Sequence, residues 1–495
     1  MSNVTRRNML RGLLGGALVL GFDPVARSWV TEAQAGPKYN GLPSLDGTLS
    51  TDSASLATAA DDFGHIVHRT PVAVLHAGSV NDVIKMVNYA RAHGLRIASR
   101  GRGHTTLGQA QSVGLVIDLS GLNQIHAISP TAADVDTGVV WRDILLATTP
   151  NGRTPPVLPD FINLTVGGTL SVGGVGGRSH EYGAQIDNVL SLQVVTGDGD
   201  LVTCSPTHDR KLFDATLGGL GLCAVIVRAT VRLIPAKQRA RTFQLFYPDV
   251  ESMLDGLRIL IADGRFEYFH GSSAPSPGGW VYFIEATKYY TAPENPEQIP
   301  GLLNGLGFIP GATQISDQSY FDYCDAVVRL LDLLEQAGLG GLPHPWLDLF
   351  VPDSAIDTFA AQTIAGLDPA LFLPGSIMLF YPFVKSKLAQ PLLRTPDEDI
   401  FFLFDILRTV PPDPNVIAAV LQENRGYYEQ NLALGGTQYV ISAIPMTALD
   451  WKTHFGPAWK GLKQAKKKYD PRNVLGAGIS AFPACDGDEP DPGGW

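Results

Sequence analysis

The stretch Ala98–Gln109 reads ASRGRGHTTLGQ, which places a single imidazole, His104, behind Gly101, Arg102 and Gly103 and ahead of Thr105 and Thr106. Imidazole titrates near neutral pH and serves as base, nucleophile or ligand. Glycines let the backbone lie close to whatever the ring meets, and their N–H groups can form an anion-binding nest. A second glycine-rich block, TVGGTLSVGGVGGRSHEYG, runs from Thr165 to Gly183, just after Asp160 in Leu158-Pro159-Asp160-Phe161. A carboxylate in that loop can accept a proton or hydrogen bond, although Asp after Pro is also an ordinary turn residue. Gly219–Ala224 spells GxGxxA, but a dinucleotide fingerprint needs a strand before it and a helix after it. Here LFDATLGGLG (Leu212–Gly221) reads as a helix and Ala224–Ile234 as a β-branched strand, so the order is reversed and a Rossmann site is excluded.

The elements that must position these residues alternate in the first half of the chain. Val72–His76 predicts a strand. Ser79-Val80-Asn81-Asp82 predicts a capping box opening a helix with Val83, Met86, Val87 and Ala90 on its apolar face and Gly94 as its stop. Leu95–Ser99 follows as a strand, so His104 sits past a strand's carboxyl end, where α/β folds build ligand sites. Further strands are predicted at Leu115–Leu119, Val189–Thr196 and Leu201–Cys204, the last two joined by the turn Gly197–Asp200. From Pro235 onward the pattern turns aromatic. Strands Arg265–Gly271 and Gly279–Tyr290 are joined by the hairpin-like SSAPSPGG, and an apolar helix covers Tyr320–Ala337. Strands Ser376–Phe383 and Asp399–Leu407 complete what reads as a separate sheet with helices, a cap over a substrate pocket. Trp451–Phe482 holds a helix, a Tyr469-Asp470-Pro471 turn and a short return strand.

With 495 residues, 45% hydrophobic and 17% charged, the chain reads as a well-buried enzyme of two domains. A formal charge of −11 without a basic stripe argues against nucleic acid as partner, and Lys463–Lys468 (KQAKKK) reads as the solvated face of a helix. Arg6-Arg7, the short run LLGGALVLGF and Ala33-Gln34-Ala35 predict a twin-arginine export signal over residues 1–35, delivering the protein to the periplasm or the extracellular space. The apolar run is too short for stable membrane insertion. Cys204, Cys223, Cys324 and Cys485 are scattered without a CxxC pair, which predicts neither a metal site nor a disulfide framework.

Taken together, GRGHTTLGQA (Gly101–Ala110), PDFINLTVGGTLSVGG (Pro159–Gly174), VVTGDGDLVTCSP (Val194–Pro206), LGGLGLCAVIVRA (Leu217–Ala229), LPHPWLDLFVP (Leu342–Pro352), EDIFFLFDILR (Glu398–Arg408), WKTHFGPAW (Trp451–Trp459) and YDPRNVLGAG (Tyr469–Gly478) resemble the cytokinin dehydrogenases of the vanillyl-alcohol-oxidase superfamily, in the same order. The resemblance implies an α+β chain: a PCMH-type FAD-binding fold of two α/β subdomains (36–236), a substrate-binding cap with an antiparallel sheet flanked by helices (237–450), a C-terminal return (451–485) and a disordered tail (486–495). It implies FAD joined by one covalent bond to His104, the family's second, cysteinyl position being Asn163 here. Ser99, Gly101, Arg102, Gly103, Thr105, Gln109, Asp160, Thr165, Ser171, Val175 and Ile226 would then contact the cofactor.

The resemblance also implies a mechanism. Asp160 would accept the substrate N–H while hydride leaves the adjacent carbon for the flavin. His270, Trp346 and Asp348 would complete the pocket, and oxygen or a quinone would take the electrons. Several positions depart from the family pattern: His270 replaces a glutamate, Asp348 an asparagine, and Gly476 and Ile479 stand for a serine and a glutamine. An alcohol, sugar or sterol oxidase on the same scaffold, or a flavin-loaded binding protein without turnover, therefore stay beside an amine oxidoreductase as readings.

Overall fold

In the computed structural model, residues 13–14, 17–23, 28–31 and 41–482 are described. The arginine pair, the cleavage site at Ala35, Cys485 and the acidic tail lie outside the described residues. No described helix is long and apolar enough to cross a membrane.

Three sheets organise the chain. The first has the order Thr48–Ser50, Ala73–His76, Leu115–Asp118, Ile97–Arg100, with parallel pairing among the last three. Helix Val80–His93 crosses between its strands, capped by the Ser79 hydroxyl at Asp82 N–H and ended by left-handed Gly94, with Val83, Met86, Val87 and Ala90 all buried. The expected capping box is half made. The Asp82 carboxylate accepts instead from the backbone of Asp46, Gly47 and Gly78, because three loop N–H groups outnumber the one at Ser79.

The second sheet, Leu201–Cys204, Val189–Thr196, Ala224–Arg232, Ala132–Asp136, Ile125–Ile128, is antiparallel throughout. Helix Arg210–Thr216 precedes Ala224–Arg232, the reversed order expected around the GxGxxA match.

The third sheet has eight strands: Thr313–Ser319, Arg239–Tyr247, Gly279–Tyr290, Tyr268–Ser276, Ile377–Val384, Ile400–Leu407, Leu347–Pro352, Thr437–Gln438. Its alternation decides what faces the site. Met378, Phe380, Phe402, Phe404, Leu347 and Leu349 pack in one core, while Leu379, Tyr381, Phe401 and Leu403 join another. Side chains two apart share a face, so Asp348 and Asp405 lie on the second side with Tyr381. Two sequence expectations shift here. SSAPSPGG is mostly strand, with the turn reduced to Pro277-Gly278, because Ser272 and Ser273 pair with Phe283 and Tyr282. The helix expected over Tyr320–Ala337 is two, Tyr320–Cys324 and Ala326–Gln336, broken where Asp325 binds Arg142.

The C-terminal segment forms helices Ala448–Phe455 and Trp459–Tyr469, and the expected return strand is reduced to one bridge, Ile97 to Leu475. Lys466, read from sequence as solvated, is buried: its Nζ donates to Asp470 at 2.5 Å and to the carbonyls of Leu222 and Leu475. This ammonium ties the last helix to the glycine loop before Ala224. Breaking a buried pair strands its partner, so Lys466→Met is expected to cost about 3 kcal/mol, read as a lower denaturant midpoint at unchanged slope.

Candidate active site

The loop after strand Ile97–Arg100 is held from outside by the preceding segment 61–65. Asp62 accepts from the Thr105 hydroxyl and from Gly108 N–H, each at 2.7 Å, while Phe63 N–H and Gly64 N–H bond to Gly103 and Thr105 carbonyls. Burial holds the Asp62 pKa above its usual range despite those bonds. Gly103 adopts φ +67°, and a Cβ on Gly101 would sit 2.2 Å from the Thr165 hydroxyl, so the two glycine-rich blocks touch only because that side chain is missing.

Behind this loop lies a cavity of about 570 Å³, walled by the loop, the second glycine block, the start of strand Ala224–Arg232 and the inner face of the eight-stranded sheet. His104 is stacked on Phe63 at 4.0 Å, with Phe161 and Trp346 tilted beside it. Phe63 also stacks on His344, so the HPW segment that leads into strand Leu347–Pro352 closes over the ring. The imidazole Nε2 is out of solvent contact and has no hydrogen-bond partner. Desolvation pushes the His104 pKa down to about 4, which leaves a neutral ring with one nitrogen unspent.

Opposite the second glycine block, Asp160 receives the hydroxyls of Tyr268 and Tyr381, from neighbouring strands of the third sheet. His270 stacks on Tyr381 and meets Glu285, its cross-strand neighbour, at 3.3 Å. Burial alone would lower the His270 pKa, but the bond and charge of Glu285, with Asp160 behind, raise it above its ordinary value; Glu285 is correspondingly lowered. Asp348 and Asp405 face each other in register, both buried.

Every residue expected at the cofactor lines this one cavity: Ser99, Gly101, Arg102, Gly103, Thr105 and Gln109 from the first loop, Asp160, Thr165, Ser171 and Val175 from the second, and Ile226 from the strand. Several side-chain protons are already committed within the protein. Thr105 donates to Asp62, Ser171 to the Gly167 carbonyl and Gln109 to that of Ser442, whereas the Thr165 hydroxyl oxygen accepts from Gly168 N–H as the cap of helix Val166–Val172. Trp346, His270, Asp348 and Ile479 also line the cavity; Gly476 does not, lying behind Leu222 with φ +75°. Sequence reasoning missed Tyr268, Tyr381, Glu285 and Asp405. A signal existed for Asp405 and Glu285, acids inside the apolar runs of strands Ile400–Leu407 and Gly279–Tyr290. The tyrosines look like core aromatics until the strands are paired.

Comparison with known proteins supplies the rest. Residues 251–482 match the family described as "Cytokinin dehydrogenase 1, FAD and cytokinin binding", and residues 71–205 match "FAD binding domain". An "Uncharacterized oxidoreductase ORF5 in fasciation locus" from Rhodococcoides fascians is 37% identical, covering 88% of this chain and 99% of its own. "Cytokinin dehydrogenase 10" of Oryza sativa subsp. japonica is 33% identical over 89% and 90%, and "Cytokinin dehydrogenase 4" of Arabidopsis thaliana 31% over 89% and 93%.

The uncommitted imidazole has a direct test. The unfolded chain protonates this ring near its ordinary 6.5 and the folded protein only near 4, so acidification through that window favours unfolding. Nitrogen-15 NMR of the unliganded protein at pH 5.5 is expected to show His104 as a neutral tautomer while exposed histidines are largely charged.

Proposed function

The chain belongs to the cytokinin dehydrogenase family of FAD-dependent oxidoreductases, and from that premise we propose that it oxidises a secondary amine of the cytokinin kind, with Asp160 receiving the amine N–H and His104 holding FAD covalently. The observation that carries the reading is the pair formed by an unspent neutral imidazole nitrogen and a carboxylate gripped by two phenols, in one cavity.

The residues present fit the flavin. The glycine loops keep side chains out of the cradle, and the uncommitted His104 Nε2 supports the covalent reading by leaving a neutral ring nitrogen free to act as nucleophile. When bound, FAD supplies an acceptor for the hydride that leaves the substrate carbon. The chain's own residues do the remainder. Tyr268 and Tyr381 fix the Asp160 carboxylate so that one oxygen meets the substrate N–H and balances the positive charge growing on nitrogen. Trp346, Leu379, Leu403 and Ile441 supply apolar walls that exclude water. His270 and Glu285 together offer a donor and an acceptor at the place where the family carries a glutamate alone. On this reading residues 36–236 and 451–485 hold the cofactor, 237–450 the substrate, and the leader 1–35 directs export of the folded, loaded protein.

Three measurements check it. The denatured, washed protein is expected to stay yellow and His104→Ala to release its pigment. Asp160→Asn is expected to lower kcat by about 10²–10⁴-fold. An anaerobic bleaching screen is expected to show reduction by N6-isopentenyladenine and not by simple alcohols; bleaching by alcohols alone would move the enzyme to CH–OH donors.

A further inference from the structure

Within the cavity one polar feature is left unused by this mechanism. Asp348 and Asp405 stand directly opposite each other on adjacent strands, 2% and 5% exposed, and both line the cavity wall. The Ser442 hydroxyl reaches Asp348 Oδ2 at 3.2 Å, but Asp405 Oδ1 is buried with no protein group donating to it. Two ionised carboxylates could not both persist here: like charges at contact distance in a site of low polarity repel by more than their remaining solvation returns. One proton between them removes the repulsion and supplies the donor that the buried oxygens lack.

The neighbours do not offer another remedy. The groups acting on the pair are Ser442, Asp160 across the cavity and each other, and the phenols of Tyr381 and Tyr439 pack alongside; all are acids or hydroxyls. The nearest basic group in the same wall, His270, is engaged with Glu285. Burial raises the Asp348 pKa to about 7, and burial with the facing carboxyl raises that of Asp405 well above the usual range.

Resting on the amine-oxidising reading, we propose that Asp348 and Asp405 share one proton and act as a specificity-determining pair, binding a hydroxyl on the substrate side chain beyond the reacting C–N bond. A carboxyl pair with one proton presents a donor and an acceptor together, and a hydroxyl is the small group that answers both. A hydrocarbon side chain would leave a buried oxygen unpaired, and a site that retains its proton at neutral pH is poorly matched to an ammonium.

The test uses the holoenzyme and two probes, N6-isopentenyladenine and its side-chain-hydroxylated counterpart, with Kd taken from the concentration dependence of anaerobic flavin bleaching. The wild type is expected to bind the hydroxylated probe about tenfold or more tightly. That preference should fall as pH rises and the shared proton leaves. Asp405→Asn, whose amide mimics the protonated acid, should keep the preference and flatten its pH dependence. Asp405→Leu should abolish the preference. Independently, the infrared difference between wild type and Asp405→Asn at neutral pH should contain the C=O band of a protonated carboxyl. Absence of the band overturns the shared proton whatever the substrate. Equal affinities with the band present overturn the recognition of a hydroxyl. If neither probe binds, the amine reading and the hydroxyl recognition fall together, while the band would still establish the shared proton.

Discussion

Two phenols from neighbouring strands donate to one carboxylate, and the geometry of the site depends on that grip. Asp160 belongs to the long connection between Ala132–Asp136 and Val189–Thr196 of the second sheet, whereas Tyr268 and Tyr381 stand on the third, 108 and 221 residues further along. A loop carboxylate without these partners would be solvated and would sample many orientations. With both hydroxyls in place its two oxygens are fixed, and the third sheet is fixed to the loop in return. The site is thus a product of docking: no single sheet contains it.

The same docking sets the electrostatics. Asp160, Glu285, Asp348 and Asp405 border one cavity in which His270 is the basic partner opposite Glu285. Carboxylates placed together in a site of low polarity are set apart by the partners each one has. Asp160 has two phenols and Glu285 has an imidazole; Asp348 and Asp405 have chiefly each other. Glu285 is held below its ordinary range while Asp348 and Asp405 are raised above theirs, so on the proposed function one end of the cavity offers acceptors to an N–H and the other a proton to an oxygen.

How much of this the sequence revealed follows the range of the interactions. Local rules found the His104 loop, the Ser79 cap and the strands Val189–Thr196, Leu201–Cys204 and Gly279–Tyr290 with their bounds intact, since alternation and turn residues act over a few positions. The break at Asp325 was hidden because the partner its carboxylate meets there, Arg142, lies 183 residues away. Lys466 looked solvated for a similar reason: Asp470 is a local partner four residues on, but the burial comes with the Leu222 and Leu475 carbonyls, which only tertiary structure brings near. His270 read as the loss of an acidic group, yet Glu285 stands directly across the ladder, and cross-strand register is the information a single strand does not carry. Asp405 and Glu285 were the hidden site residues with a local mark, each an acid within the apolar stretch of its strand.

Export, proposed from the leader, imposes a further demand that the fold meets. A thiol in an oxidising compartment reacts through its thiolate, so an unpaired cysteine is safe only when that form is suppressed. Cys204, Cys223 and Cys324 are all free; the first two are buried, and desolvation pushes each of the three thiols up to about 12. Cys223 lies against the Lys466–Asp470 pair, whose ammonium alone would favour the thiolate, and burial outweighs it. The packing that closes the glycine loop over the last helix therefore also holds the neighbouring sulfur as a thiol, and on the proposed export route none of these three residues would present a thiolate to the oxidising space.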